Sequence, residues 1–234
     1  MDHFVEVYRR KAEAYQRMIA AEDVEGNLLP ALQAVADFRG RRVVDLGSGT
    51  GRLPLLLATE GARVVGVDLH RAMLEESRRQ RRRTGEQWSL VQADMQAVPL
   101  AGGCADVVTA GWAIGHFTAW YKEEWEVRVS QILRQMQRVA APAGILIVLE
   151  TLGTGRRQPA PPAPRLRRYY EYLESAWGFR RQEIRTDYQF ATVEDAVAAT
   201  EFFFGPALSE AIRANGWARV PEWTGVWSRP AQLP

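Results

Sequence analysis

Up to residue 150 the chain repeats one unit, a short apolar run followed by a helical segment. Residues 42–46 (Arg-Val-Val-Asp-Leu), 63–68 (Arg-Val-Val-Gly-Val-Asp), 88–94, 105–110 and 145–150 read as strands. Residues 53–58 and 72–83 read as helices between them, as does the face Val129, Ile132, Leu133, Met136 and Val139, which stops before Pro142. Strands alternating with helices predict a parallel sheet covered on both faces. The pattern does not give the order of the strands.

The flanking segments are less regular. Val5, Tyr8, Ala12, Tyr15 and Ile19 recur at helical spacing and mark one face of an amphipathic helix. A second helix is expected over 28–38, with Asn27 as its N-cap. Pro54 fits a helix only within its first turn. Beyond the fifth strand, residues 156–164 are rich in Pro and Arg and predict an extended loop. Helices are expected over 165–177 and 193–204, and strands over 180–190 and 222–227. Asn215-Gly216 suits a helix C-terminus.

Composition limits the function. A length of 234 residues predicts one domain. The formal net charge is +2, so no sequence-wide basic field for nucleic acid is present. Lysine occurs only at Lys11 and Lys122, and the other cations are arginines. The densest basic run, 78–83, falls on the helix after the second strand. It reads either as an RNA contact or, more simply, as a solvated helix face. Cys104 is the single cysteine, and His3, His70 and His116 have no ligand spacing, so no metal site is expected. No apolar run approaches the ~20 residues of a membrane span. The start Met1-Asp2-His3-Phe4 lacks the features of a signal peptide, and the expected location is cytoplasmic.

The chemistry concentrates in Asp45-Leu46-Gly47-Ser48-Gly49-Thr50-Gly51, set between a strand and a helix. Glycines there let a ligand approach the backbone, and the helix behind offers free N–H groups. Several kinds of nucleotide site use such a turn. The dinucleotide version wants a third glycine where Arg52 stands, which weakens that reading. Asp68 and Asp94 close the next two strands, where carboxylates can accept hydrogen bonds from ribose hydroxyls and from an adenine amine. In a parallel sheet Asp45, Asp68 and Asp94 would meet at the carboxyl edge.

With these pieces in place the sequence resembles the class I S-adenosylmethionine-dependent methyltransferases, most closely the small-molecule group of the ubiquinone and menaquinone methyltransferases. Residues 45–51, Val65-Gly66-Val67-Asp68 with Met73-Leu74, Gln92-Ala93-Asp94-Met95, Asp106-Val107-Val108 and Pro142-Ala143-Gly144 carry the resemblance, over roughly 42–150. It implies an α/β, Rossmann-like, seven-stranded and mostly parallel sheet, with helices on both faces and a helical lid. Residues 1–26 would supply the lid helix and 40–150 the cofactor core. Residues 151–234 would supply lid and substrate segments with the last two antiparallel strands, taken as 183–190 and 222–227.

The resemblance also implies roles. S-adenosyl-L-methionine is the expected cofactor, leaving S-adenosyl-L-homocysteine as product. Gly47, Ser48 and Gly49 would pass its methionyl part, Asp45 would orient the ammonium, and Ala110 and Gly111 would bring backbone to the same end. Asp68 would hold the ribose beside Leu69 and Met73. Asp94 would bind the adenine amine with Met95 at the ring, and Tyr15 would cap the site. Trp112 reads as a wall for the sulfonium or as packing.

His116 is the candidate base, with a positioning histidine as the simpler reading. Tyr8, Trp120, Tyr121, Tyr169 and Tyr188 are the candidate acceptor pocket, although aromatics serve core packing equally well. Transfer requires mainly in-line alignment at ~3–3.5 Å, worth up to ~7–11 kcal/mol. A small-molecule acceptor is expected, with nucleic acid disfavoured and the oligomeric state open. An RNA or protein methyltransferase and a non-catalytic cofactor-binding protein are the alternatives.

Overall fold

Valine- and isoleucine-rich runs pair side by side as parallel strands: β1 (Arg42–Leu46), β2 (Arg63–Asp68), β3 (Ser89–Gln92), β4 (Ala105–Gly111) and β5 (Ala140–Thr154). Later come β6 (Arg180–Arg185), β7 (Tyr188–Gln189), β8 (Arg219–Val220) and β9 (Glu222–Pro230). The computed structural model describes residues 3–232; Met1, Asp2, Leu233 and Pro234, at the outer ends of the segments 1–26 and 151–234, lie outside it. The main sheet has seven strands in the order β3-β2-β1-β4-β5-β9-β6, and β7 and β8 form a separate pair. Order reverses between β1 and β4, which opens a crevice at their carboxyl ends.

Alternate strand residues face opposite layers. Val44, Val108, Leu146 and Val148 pack with Ile132, Leu133 and Met136 of α7 (Trp125–Val139) and Tyr169 and Leu173 of α8 (Pro164–Ser175). Val43, Val107, Ile147 and Leu149 pack with Leu32 of α3 (Leu28–Gln33) and Leu53 and Leu57 of α4 (Arg52–Thr59). A third cluster joins Met18 and Ile19 of α2 (Ala12–Ile19) to Tyr188, Ala196 and Val197 of α9 (Val193–Phe204), and to Leu208 and Ile212 of α10 (Pro206–Asn215). The remaining helices are α1 (His3–Arg10), α5 (Arg71–Thr84) and α6 (Phe117–Trp120).

Several predicted elements are corrected. The N-terminal helix breaks at Lys11, whose backbone (φ −122°, ψ 27°) leaves the helical region. The helix expected over 28–38 ends at Gln33, and Asn27 makes no side-chain cap. The Asp23 carboxylate does that work, accepting from the amides of Asn27 (2.9 Å) and Leu28 (3.0 Å). The strand expected over 88–94 contracts to four residues, because Asp94 turns to accept from the Gln96 amide at 2.8 Å. The 180–190 strand divides at Thr186-Asp187: Asp187 turns to hold Arg185 (2.6 Å) and Arg219 (2.8 Å). Tyr188-Gln189 therefore belongs to the small sheet. Of the two strands expected to be antiparallel, only β9 opposes the sheet; β6 opposes β9 and so runs with the parallel strands.

The basic run also finds partners. Glu76 on α5 is buried, and Arg79 pairs with it at 2.8 Å and Arg83 at 3.6 Å. Arg81 donates to the Trp88 carbonyl at 2.5 Å. A carboxylate buried without such partners would be costly. These arginines serve the helix that carries them.

Candidate active site

The turn after β1 is fastened to the end of β2. Gly47 and Ser48 amides donate to the Val67 carbonyl (2.8 and 3.0 Å), and the Gly49 amide donates to Asp68 Oδ2 at 2.8 Å. Asp68 Oδ1 accepts from the His70 amide at 2.7 Å. Gly47 has φ +73°, and a Cβ there would lie 2.5 Å from Ala113 Cβ and 2.9 Å from Met95 Cε. Only glycine fits this turn against its neighbours. Asp45, 1 % exposed, accepts from the Thr109 hydroxyl at 2.6 Å, a contact set by the β1–β4 register. Burial pushes its carboxyl up to about 7, against the opposing pull of Thr109. Burial also raises the Asp68 carboxyl, and the His70 and Gly49 amides hold it down.

Two chambers meet over this turn. The smaller, about 90 Å³, is lined by Asp68, Leu69, His70, Met73, Asp94, Met95, Phe117 and Trp120. The larger, about 510 Å³, runs from Asp45, Ser48 and Arg52 past Glu150, Thr151 and Thr154 to Glu222, under Ile19, Leu166, Phe203, Phe204 and Leu208. Tyr8, Tyr15, Gly47, Gly49, Gly111, Trp112 and His116 line both and form their junction.

Most predicted site residues therefore come together. Asp45, Ser48 and Tyr188 face the larger chamber, and Asp68, Leu69, Met73, Asp94 and Met95 face the smaller. Four placements differ from expectation. Ala110 is wholly buried and lines neither chamber, because it points from β4 into the layer below. Trp120 lines the smaller chamber instead of the larger. Tyr121 lines neither; it stacks on Phe117 (5.3 Å between rings) beneath the Arg128 guanidinium (4.8 Å). Tyr169 is a core residue whose hydroxyl donates to Glu150 Oε1 at 3.3 Å.

At the junction the Tyr8 hydroxyl and His116 Nε2 share a hydrogen bond of 2.7 Å. The His116 ring stacks on Trp120 (5.2 Å, 13° between planes) and meets Phe4 at 4.8 Å. The Arg52 guanidinium lies 4.5 Å from the centre of the Trp112 ring, so one face of that indole is already covered.

The charged groups of the larger chamber carry no motif in the sequence. Arg52 pairs with Glu22 at 2.6 Å, with side chains 18 % and 4 % exposed. Glu150, within β5, accepts from the Gly115 amide at 2.7 Å and so fixes the turn that carries His116. Glu222 accepts from the Thr151 hydroxyl at 2.7 Å. Burial raises both of these carboxyls to about 8. Their one available signal was position, since Glu150 and Glu222 bound predicted strands at the same edge of the sheet.

Comparison with known proteins meets this geometry at the same residues. Residues 44–148 match the family model described as a methyltransferase domain. Those residues carry a methyltransferase domain. The chain is 26% identical over 219 residues to a malonyl-[acyl-carrier protein] O-methyltransferase of Legionella pneumophila, covering 92% of the chain and 68% of that relative. It is 36% identical over 112 residues to a demethylmenaquinone methyltransferase of Thermus thermophilus, covering 47% of each. It thus spans about half the length of that second relative. Its fold matches a SAM-dependent methyltransferase from Aquifex aeolicus with a TM-score of 0.54 and 16% identity, over 90% of each chain. Among its described residues no helix is long and apolar enough to cross a membrane.

Proposed function

We propose that the methyltransferase binds S-adenosylmethionine with its adenosyl part in the smaller chamber, and passes the methyl group at the junction to a small organic acceptor in the larger one. The observation that carries this reading is the shared wall: one glycine turn and one pair of lid tyrosines border both chambers. A donor on one side and an acceptor on the other would meet there in line. The cofactor, when bound, supplies an activated sulfonium methyl, and the protein's task is alignment.

The residues suit that cofactor. Gly49, where a Cβ would meet nothing within 4 Å, leaves room for a chain beside the backbone. Asp68 keeps lone pairs for the ribose while it anchors the turn. Leu69, Met95 and Trp120 offer apolar surfaces to adenine, and Asp94 offers an acceptor for its amine. Trp120 Nε1 and Ser48 Oγ are buried without protein hydrogen-bond partners in residues that line the chambers. Tyr8 and His116 stand where an acceptor proton would leave, if the acceptor atom carries one.

A small acceptor is favoured over RNA or protein. Three of the arginines that suggested RNA, Arg79, Arg81 and Arg83, are engaged by Glu76 and the Trp88 carbonyl, and the larger chamber lies under α2, α9 and α10. The relatives' names give two acceptors, a malonyl group on a carrier protein and demethylmenaquinone. They differ in chemistry, so the acceptor is argued below from this chain's own residues. Calorimetry with S-adenosylhomocysteine and with NAD tests the cofactor. Tight binding of the first alone is expected, and preference for NAD would overturn the reading. Methyl-labelled cofactor should label small molecules of an extract; label confined to RNA or protein would overturn the acceptor class.

A further inference from the structure

We propose that the inner end of the larger chamber recognises an amino group on an otherwise apolar acceptor, with Glu222 as its partner. The inference rests on the methyltransferase reading above and names the acceptor's class.

Glu222 is 2 % exposed and lines the chamber. Its Oε1 accepts from Thr151, while its Oε2 is buried without a formed hydrogen bond, the Thr154 hydroxyl being the other protein donor beside the carboxyl. The backbone holds the residue in place: its amide donates to Asp187 Oδ1 at 3.0 Å, and its carbonyl accepts from the Thr186 amide at 3.0 Å. Asp187 is in turn committed to Arg185 and Arg219. A buried carboxylate oxygen left without a donor is unfavourable, so a ligand that donates there gains the contact.

Charge decides which donor. Glu22 and Glu222 influence one another across the inner end, and the cation acting on both is Arg52, already paired with Glu22 at 2.6 Å. The other titratable groups facing Glu222 are Tyr188 and Tyr170, both neutral because burial pushes their hydroxyls far up. Glu150, further along the wall, is occupied by the Gly115 amide and the Tyr169 hydroxyl. Two carboxyls thus share the Arg52 guanidinium at the inner end, and the chamber's other two arginines, Arg156 and Arg165, are exposed to solvent. An ammonium group completes the balance and lets Glu222 ionise. With a hydroxyl in that place Glu222 gains a hydrogen bond but stays protonated and forms no ion pair, and an anionic group would oppose its ionisation. Ile19, Phe204 and Leu208 provide an apolar bed for the rest of such a molecule.

The test titrates 2-phenylethylamine, 2-phenylethanol and 3-phenylpropanoate into the protein saturated with S-adenosylhomocysteine. Calorimetry at pH 7 is run in two buffers of different ionisation enthalpy. The amine should bind about tenfold or more tightly than the alcohol, and the carboxylate should bind least. Amine binding should release about one proton, because Glu222 is protonated beforehand at this pH.

Glu222→Gln should erase the preference of amine over alcohol and leave the affinity for S-adenosylhomocysteine within about twofold. Equal or tighter binding of the alcohol or the carboxylate would overturn the proposal, as would failure of all three to bind. These are wild-type measurements and hold even if the variant folds poorly. A large loss of S-adenosylhomocysteine affinity in a folded Glu222→Gln would put the cofactor's own amino group at Glu222, which also overturns it. If S-adenosylhomocysteine does not bind the wild type, the methyltransferase reading itself fails.

Discussion

The two chambers are built in different ways. The smaller one is assembled from strand ends and the turns that follow them: the residues after β1, Asp68 after β2, Asp94 after β3 and Trp120 after β4. Its parts sit at the crevice because the sheet order puts them there. The larger one takes its far wall from Glu22, Glu150, Tyr188, Phe204 and Glu222, which are separated by long stretches of chain and brought together where the third apolar cluster, holding Tyr188 and Phe204, meets β5 and β9. The first chamber is therefore local in sequence and the second is a product of packing. This difference predicts that cofactor affinity and acceptor preference respond to separate sets of substitutions.

Gly47→Val tests the first chamber hardest. A β-branched residue at φ +73° would strain the turn and press on Ala113 and Met95. It should abolish measurable binding of S-adenosylhomocysteine by calorimetry; retained binding would remove the turn from the site. Asp68→Ala should follow, weakening the same binding by about 1.5–3 kcal/mol, or on the order of 10–100-fold. Equal losses from Asp68→Ala and Glu222→Gln would erase the distinction between the chambers.

The third test uses pH. Glu150 and Glu222 have folded-state values near 8, raised by burial from the ordinary range of ~4. Raised carboxyls contribute stability that is complete below the unfolded value and lost as pH rises through the folded one. The melting temperature without ligand should therefore fall by several degrees between pH 6 and pH 9. Glu150→Gln cannot ionise and should make that slope shallower. A flat wild-type profile would contradict the burial argument. The smallest effect is expected at Arg82, which makes no ion pair among the described residues. Arg82→Gln should change stability by no more than ~0.5 kcal/mol in urea unfolding and leave cofactor binding unaltered.

Legibility followed the same division. The glycine turn, Asp68 and Asp94 could be read because turn chemistry and strand ends are local properties. Tyr121 and Tyr169 were taken for pocket residues because an aromatic side chain suits a core and a ligand wall alike. Tyr169 turned out to act on the site only through Glu150. Arg52 was visible in the sequence merely as the residue that breaks a dinucleotide pattern, and its pairing with Glu22 joins the start of α4 to the turn after α2. Glu222 looked like the start of a strand. Its unpartnered oxygen depends on the turn at Asp187, which the alternation of 180–190 concealed.

The central claim is that the purine end of the cofactor lies in the chamber made of strand-end residues. A crystal structure with S-adenosylhomocysteine bound tests it directly. The account predicts adenine between Leu69, Met95 and Trp120 with the ribose hydroxyls on Asp68. Purine density beside Glu222 and Phe204 would contradict it.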